Sequence, residues 1–64
     1  MSNFVQRSHP DGRHGWVGPI RSARQAEREA QAWRDADWSA EVLTSTPEVR
    51  AQVRAWEREK LARS

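Results

Sequence analysis

The sequence contains no cysteine, no tyrosine and no long apolar run. Without cysteine, neither a disulfide nor a thiolate zinc site can hold the fold together. Uncharged segments such as residues 15–20 are far shorter than the ~20 residues that a transmembrane helix needs. The N-terminal residues have neither the basic nor the apolar region of a secretory signal. We therefore expect a cytoplasmic protein that does not enter a membrane.

Aliphatic side chains are also scarce, since the 64 residues include five Val, two Leu and one Ile beside four Trp. A chain of this length buries only about 60% of the surface that it exposes when unfolded. The core must therefore depend on the indoles or be shared with a second copy. A net charge of only +2 together with four Trp favours a folded chain over a disordered one. We predict a single domain over residues 1–64.

Turn chemistry and alternating polarity predict a hairpin near the start of the chain. Residues 4–9 are typical of a short strand, and residues 10–13 form a tight-turn signal in which Gly12 supplies a positive φ. The return strand is expected over residues 14–18, and a third strand over residues 38–44.

Two helices are predicted from their capping signals. Ser22 begins a capping box with Gln25, and the helix that follows ends near Ala36, with Asp37 as its left-handed cap residue. The second helix begins with an N-cap at Thr46 or Ser45 and runs from Pro47 to about Ala62. The apolar positions at helical spacing are Ala23, Ala26, Ala30 and Trp33 in the first helix and Val49, Val53 and Trp56 in the second.

The predicted order is therefore β-β-α-β-α, which defines a small α+β domain. A right-handed crossover through the first helix makes the second and third strands parallel, and the first strand can lie between them, antiparallel to both. We expect both helices on one face of the three-stranded sheet and the other face open. An open sheet face and a thin core also make a homodimer an expected state.

No pattern in the sequence indicates catalysis. His9 and His14 flank the predicted turn without an identifiable third metal ligand. No serine or other nucleophile is placed beside an activating base and an orienting group, and the glycines belong to the hairpin and not to a phosphate-binding turn. We predict a protein that is not an enzyme and that needs no metal or cofactor.

Positive charge is concentrated in the first third of the chain. Residues 1–24 carry a net charge of +3 and residues 25–64 carry −1. The candidate phosphate contacts are Arg7, Arg13, Arg21 and Arg24 around the hairpin and first helix, and Arg50, Arg54 and Arg58 along the second helix. Such arginines are also typical of an ordinary solvated surface. Trp16 is a candidate for stacking on bases if it faces the open side of the sheet, and Trp38 is the alternative. Packing in the core or in a dimer interface is the other expectation for these two indoles.

The favoured function is a binding module that associates with nucleic acid or acts as a regulatory accessory. The alternative is a protein-interaction or assembly module that acts as a homodimer.

Two resemblances add further expectations. Residues 16–42, from the glycine-aromatic strand end at Trp16 through the Ala-Glu-rich helix to Val42, resemble the first β-α-β half of SPOR domains. That resemblance implies binding to peptidoglycan glycan strands outside the cytoplasm. Over nearly its whole length, including residues 9–19 and 45–50, the chain is similar to small reading frames of high-GC actinobacteria and their plasmids and phages. This second resemblance implies a complete small protein and no particular activity.

Overall fold

The chain folds into three strands and two helices in the predicted β-β-α-β-α order. A computed structural model describes residues 2–63. The elements are β1 (Asn3–Ser8), β2 (His14–Ile20), α1 (Ala23–Asp35), β3 (Ser39–Thr44) and α2 (Pro47–Ala62). The α+β class is therefore confirmed. Neither helix within the described residues has the length and apolar content needed to cross a bilayer.

The sheet has the order β2-β1-β3, and β1 is antiparallel to both neighbours. Val5 lies opposite Val17 on β2 and Val42 on β3. The first strand of the chain is thus the central strand, as the sequence predicts. Gly12, at φ +100°, makes the hairpin turn between β1 and β2.

The second strand is longer than expected, because it continues through Pro19 to Ile20. The register between β1 and β2 shifts between Asn3 and Val5, which is a β-bulge opposite this part of β1. Proline lacks the N–H needed for regular pairing, so it is found in strands at edges and bulges. The bulge lets the strand pass Pro19 and pair Ile20 with Asn3.

Both helices begin where the capping signals predict. The Oγ of Ser22 accepts a hydrogen bond from the Gln25 N–H at 3.3 Å. The Oγ1 of Thr46 accepts one from the Val49 N–H at 3.2 Å, so Thr46 and not Ser45 is the N-cap of α2. Helix α1 ends before Asp37, whose φ of 71° confirms a left-handed residue at this position.

The two helices cover opposite faces of the sheet, so the prediction that both pack on one face is wrong. Adjacent strand residues point to opposite faces, and the neighbours Phe4 and Val5 belong to different core clusters. The α2-side cluster contains Phe4, Trp16, Val49 and Val53, with Leu43 and Trp56 packed against it. The α1-side cluster contains Val5, Ala26 and Ala30, with Val17, Ile20, Trp33, Ala40 and Val42 packed against it. Apolar residues on both faces of each strand require a layer of helix on each side.

The small side chains of α1 let this helix approach the sheet closely. Ala26 and Ala30 are both 0% exposed and pack against Val5. Helix α2 instead covers only the Phe4 end of the other face, because its buried residues, Val49 and Val53, lie in its first half.

Candidate functional site

The arginines predicted to contact phosphate are spread over the whole molecule. Arg7 lies on β1 near the hairpin and Arg13 lies in the turn region just before β2. Arg21 and Arg24 follow the far end of β2, which is separated from Arg13 by seven strand residues, or roughly 23 Å. The hairpin pair and the α1 pair therefore do not share one surface.

The three arginines of α2 occupy exposed positions along that helix. Arg50 is in its first turn, where its Nη1 donates to the Oγ of Ser45 at 3.1 Å. Arg54 and Arg58 follow at four-residue spacing. The helix starts next to the end of β3 and its last turns lie at the hairpin end of the sheet, near Arg13. The predicted row exists, but it runs along the molecule and does not meet the other arginines at one point.

Trp16 is largely buried, which does not favour the stacking role predicted for it. Its side chain is only 9% exposed and packs in the α2-side cluster. Phe4 meets it edge to face, with ring centroids 6.3 Å apart. The ring therefore presents little surface on which a base could stack.

The structure instead brings cations and indoles together in a cleft of about 840 Å³. We call it the hairpin cleft, because the β1-β2 turn forms one wall and the C-terminal parts of α1 and α2 form the others. Its lining residues are Arg7, Asp11, Gly12, Arg13, His14, Trp33, Trp38, Trp56, Glu59, Lys60 and Arg63. The cleft is thus lined by three of the four tryptophans and by four Lys or Arg residues, but by only two carboxylates.

Arg7 lies at the base of the hairpin cleft, in the angle between two indoles. Its Cζ is 4.2 Å from the ring centroid of Trp33 and 4.5 Å from that of Trp38. Burial lowers the pKa of the Arg7 guanidinium, and the nearby charge of Arg13 lowers it further. Within residues 2–63 its Nε is buried without a hydrogen-bond partner, and no ion pair involves it. This cation is therefore stabilised by aromatic faces and lacks an anionic partner.

The hairpin wall is held by Asp11. The Arg13 N–H donates to Asp11 Oδ1 at 3.0 Å, and Arg13 Nε donates to Oδ2 at 2.7 Å. These hydrogen bonds lower the pKa of the Asp11 carboxyl, and the bond from the Arg13 backbone has the largest effect. His9 Nδ1 lies 3.0 Å from Asp11 Oδ1, and the His9 ring meets Trp38 at a centroid distance of 5.0 Å. The turn and the indole are thus joined through one imidazole.

The opposite wall comes from the last turns of α2. Lys60 Nζ lies 4.7 Å from the ring centroid of Trp56. The Nη2 of Arg63 pairs with Glu59 Oε1 at 2.9 Å. Trp56 itself lies against Gly15 of β2, where a Cβ atom would come 2.9 Å from its Cζ2 and 3.2 Å from Arg7 Nη2. The missing side chain at Gly15 therefore lets Trp56 and Arg7 meet at the edge of the sheet.

Among the cations and indoles of the hairpin cleft, the sequence patterns did not point to Trp33, Trp56, Lys60 or Arg63 as binding residues, whereas Trp38 was an alternative to Trp16. A signal for part of this group is present, because Trp56, Lys60 and Arg63 are spaced at i, i+4 and i+7 and so share one helix face. Their approach to Arg7 depends on the tertiary arrangement, which no local pattern reveals.

Two further features of the described residues bear on chemistry. No group of three or more His, Asp or Glu side chains in residues 2–63 is arranged to hold a metal ion. A second hollow of about 420 Å³ lies over the part of the sheet that α2 leaves uncovered, and Gln6, Ser8 and Glu41 contribute to its lining. It is lined by Arg7 and His14 as well, but no indole other than buried Trp16 borders it.

Comparison with known proteins finds no matching family model, no matching curated protein and no matching solved structure.

Proposed function

We propose that this protein is a non-enzymatic module that binds nucleic acid, with the cations of the hairpin cleft contacting phosphates. The observation that carries the proposal is the meeting of Arg7, Arg13, Lys60 and Arg63 with three indoles in one cleft. A cationic groove that also presents aromatic side chains is the usual arrangement in proteins that bind single-stranded nucleic acid.

The surroundings of Arg7 support a ligand with oxyanions. A buried polar atom without a hydrogen-bond partner is unfavourable, and the penalty is larger for a charged group. The Arg7 Nε is such an atom among the described residues. A phosphate that reaches the base of the cleft offers the acceptor oxygens and the negative charge that this guanidinium lacks.

The remaining predicted arginines have a smaller part in this proposal. Arg21 and Arg24 lie at the far end of the sheet, and Arg50 is hydrogen-bonded to Ser45. Arg54 and Arg58 lie on α2 between that end and the cleft. A long strand that leaves the cleft along α2 would also contact these residues. A strand bound only in the cleft gains little from them, because exposed charges at such separations are largely screened at physiological salt.

The test is the salt dependence of binding, measured by fluorescence anisotropy with a labelled single-stranded oligonucleotide. Each phosphate neutralised contributes a slope of about −0.7 to log K against log salt on single strands, so four contacts give a slope of about −3. The double variant Arg7→Gln/Arg13→Gln should bind more weakly, with a slope shallower by about 1.4.

The matched control is the double variant Arg21→Gln/Arg24→Gln, which removes the same charge far from the cleft. It should retain nearly all of the affinity and of the slope. Binding that does not respond to salt, absence of binding at low salt, or equal losses in the two double variants would contradict the proposal.

A further inference from the structure

We infer that the hairpin cleft selects single-stranded over double-stranded nucleic acid, because Trp56 and Trp38 accept unpaired bases while the neighbouring cations hold the phosphates. This inference rests on the proposed function and specifies its ligand. Three features of the cleft carry it: the covering of the indoles by cations, the fixed position of the rings and the size of the cleft.

A cation lies over the face of each indole. Lys60 Nζ lies 4.7 Å from the centroid of Trp56, and Arg13 Cζ lies 5.1 Å from that of Trp38. The Arg13 side chain is 63% exposed, so a phosphate can reach it and compete with Asp11 Oδ2, which Arg13 Nε contacts at 2.7 Å. When a phosphate draws such a cation off the ring, the indole face that it leaves is open to the attached base. Phosphate binding and base stacking therefore occur together.

The rings themselves are held in place before any ligand binds. Trp38 meets Trp33 at a centroid distance of 5.1 Å and an interplanar angle of 68°, and His9 packs against it from another side. Trp56 fills the space over Gly15 and packs against the α2-side cluster. A platform that is already ordered loses little conformational entropy on binding.

The cleft has the size of a small-ligand site. Its volume of about 840 Å³ falls within the ~300–1,000 Å³ range of pockets that enclose small molecules. The whole chain measures only 33 × 28 × 16 Å between its Cα extremes. A few nucleotides of a single strand fit such a space. In a duplex the bases are paired and stacked, so only their edges are exposed in the grooves and no base face is free to stack on an indole.

The experiment compares three probes of the same length and label: a single-stranded oligothymidine, an abasic deoxyribose-phosphate strand and a duplex. Stacking on an aromatic side chain contributes enough per base to raise affinity about 10-fold. We expect the oligothymidine to bind about 10-fold tighter than the abasic strand, and the duplex to bind no tighter than the abasic strand at equal salt.

The variant Trp56→Leu tests the platform while keeping an apolar side chain against the core. It should lower oligothymidine affinity by the share that Trp56 contributes, so that a smaller preference over the abasic strand remains through Trp38. It should leave abasic binding unchanged, and Trp56→Phe should restore part of the lost preference. Leu61→Ala, on the exposed neighbouring turn of α2, is the control and should bind all probes as the natural chain does.

A second measurement does not require a variant to fold. Oligothymidine should quench the intrinsic tryptophan fluorescence of the natural chain, and the abasic strand should not. Equal affinity for oligothymidine and abasic strand, or tighter binding of the duplex, overturns the inference and leaves phosphate binding intact. Failure of all three probes to bind at low salt overturns the proposed function as well.

Discussion

Gly15 occupies a position where a side chain has no room. A Cβ atom there would meet the Trp56 ring at 2.9 Å and the Arg7 guanidinium at 3.2 Å. We predict that Gly15→Ala displaces Trp56 and lowers the free energy of unfolding by about 1–3 kcal/mol, as overpacking does. Urea denaturation measures the loss, and the near-ultraviolet circular dichroism of the indoles reports the displacement.

Gly12→Ala is the matched control for that substitution. No atom lies within 4 Å of a Cβ at Gly12, but its φ of +100° disfavours any other residue. The cost there is about 1–2 kcal/mol from the backbone alone, and the indole signal should not change. An unchanged stability and indole signal in Gly15→Ala would show that Trp56 does not depend on this glycine.

Asp11 makes the hairpin turn sensitive to acid. The hydrogen bonds from Arg13 lower the pKa of this carboxyl in the folded protein. Because the folded pKa lies below the unfolded one, the stabilisation is present above the unfolded value of about 3.9 and is lost as the pH falls through the folded pKa. We predict that Asp11→Asn lowers the thermal midpoint at pH 6 and has little effect at the acid end of the titration.

The direct measurement for Asp11 is an NMR titration of its carboxyl carbon. The carboxyl should titrate below 3.9. A midpoint at or above that value would mean that the contacts with Arg13 do not persist in solution.

Helix α1 depends on small side chains where it crosses β1. Ala30 is 0% exposed and packs with Val5, whereas Ala32, two residues later, is exposed. We predict that Ala30→Leu pushes the helix away from the sheet and costs at least the 1–3 kcal/mol that is typical of overpacked cores. Ala32→Leu adds the same atoms to the surface and should change stability by less than about 0.5 kcal/mol. Equal effects of the two substitutions, measured by urea denaturation, would contradict the packing described here.

The two outer strands have edges that are partly closed to further pairing. On β3, Arg34 donates from Nε and Nη2 to the carbonyl oxygen of Ala40 at 3.1 and 2.9 Å, and Glu27 holds the same guanidinium at 2.8 Å. On β2, Pro19 and the bulge interrupt the regular strand. Proteins use such devices to prevent strands of different molecules from pairing. Since a helix also packs on each sheet face, the expected homodimer no longer has a wholly open sheet face to support it, and it stays a prediction.

Local signals were sufficient to predict the helices and strands, but they did not predict on which face of the sheet each helix packs. Caps at Ser22 and Thr46 and the left-handed residue Asp37 act within a few residues of sequence, so each was predicted correctly. The face on which α2 packs is decided by Phe4. Its pairing with Val49 and Val53 joins the two ends of the chain, and a pattern confined to one helix carries no information about it.

The central position of β1 should make it the most stable part of the protein. It is hydrogen-bonded to a strand on each side, and its Phe4 and Val5 belong to the two separate core clusters. Opening β1 therefore requires both clusters to open. We predict that amides of β1 exchange with solvent more slowly than those of either helix, and that the last turns of α2 exchange fastest among the regular elements.

Hydrogen exchange followed by NMR measures this order. Slower exchange in α1 than in β1 would mean that the helix and not the strand is the last element to open.

The proposed binding site could be predicted from the sequence only in part. Arg7 and Arg13 were identified because they flank a hairpin that local chemistry defines. Lys60 and Arg63 were missed because about fifty residues separate them from the hairpin, and only the packing of α2 brings them to it. The suggested resemblance to SPOR domains and its implied glycan ligand stay predictions, as does the alternative of a protein-interaction module.

The placement of the first strand at the centre of the sheet also sets an order of events during synthesis. β1 can pair with β2 once residue 20 has been made, but its other edge has no partner until β3 is complete at residue 44. Phe4 stays uncovered for longer, since Val49 and Val53, which pack against it, are translated after β3. At roughly 5–20 residues per second, the nascent chain carries an uncovered phenyl ring and an unpaired strand edge for several seconds. Contact with a ribosome-associated chaperone is therefore most valuable before α2 emerges.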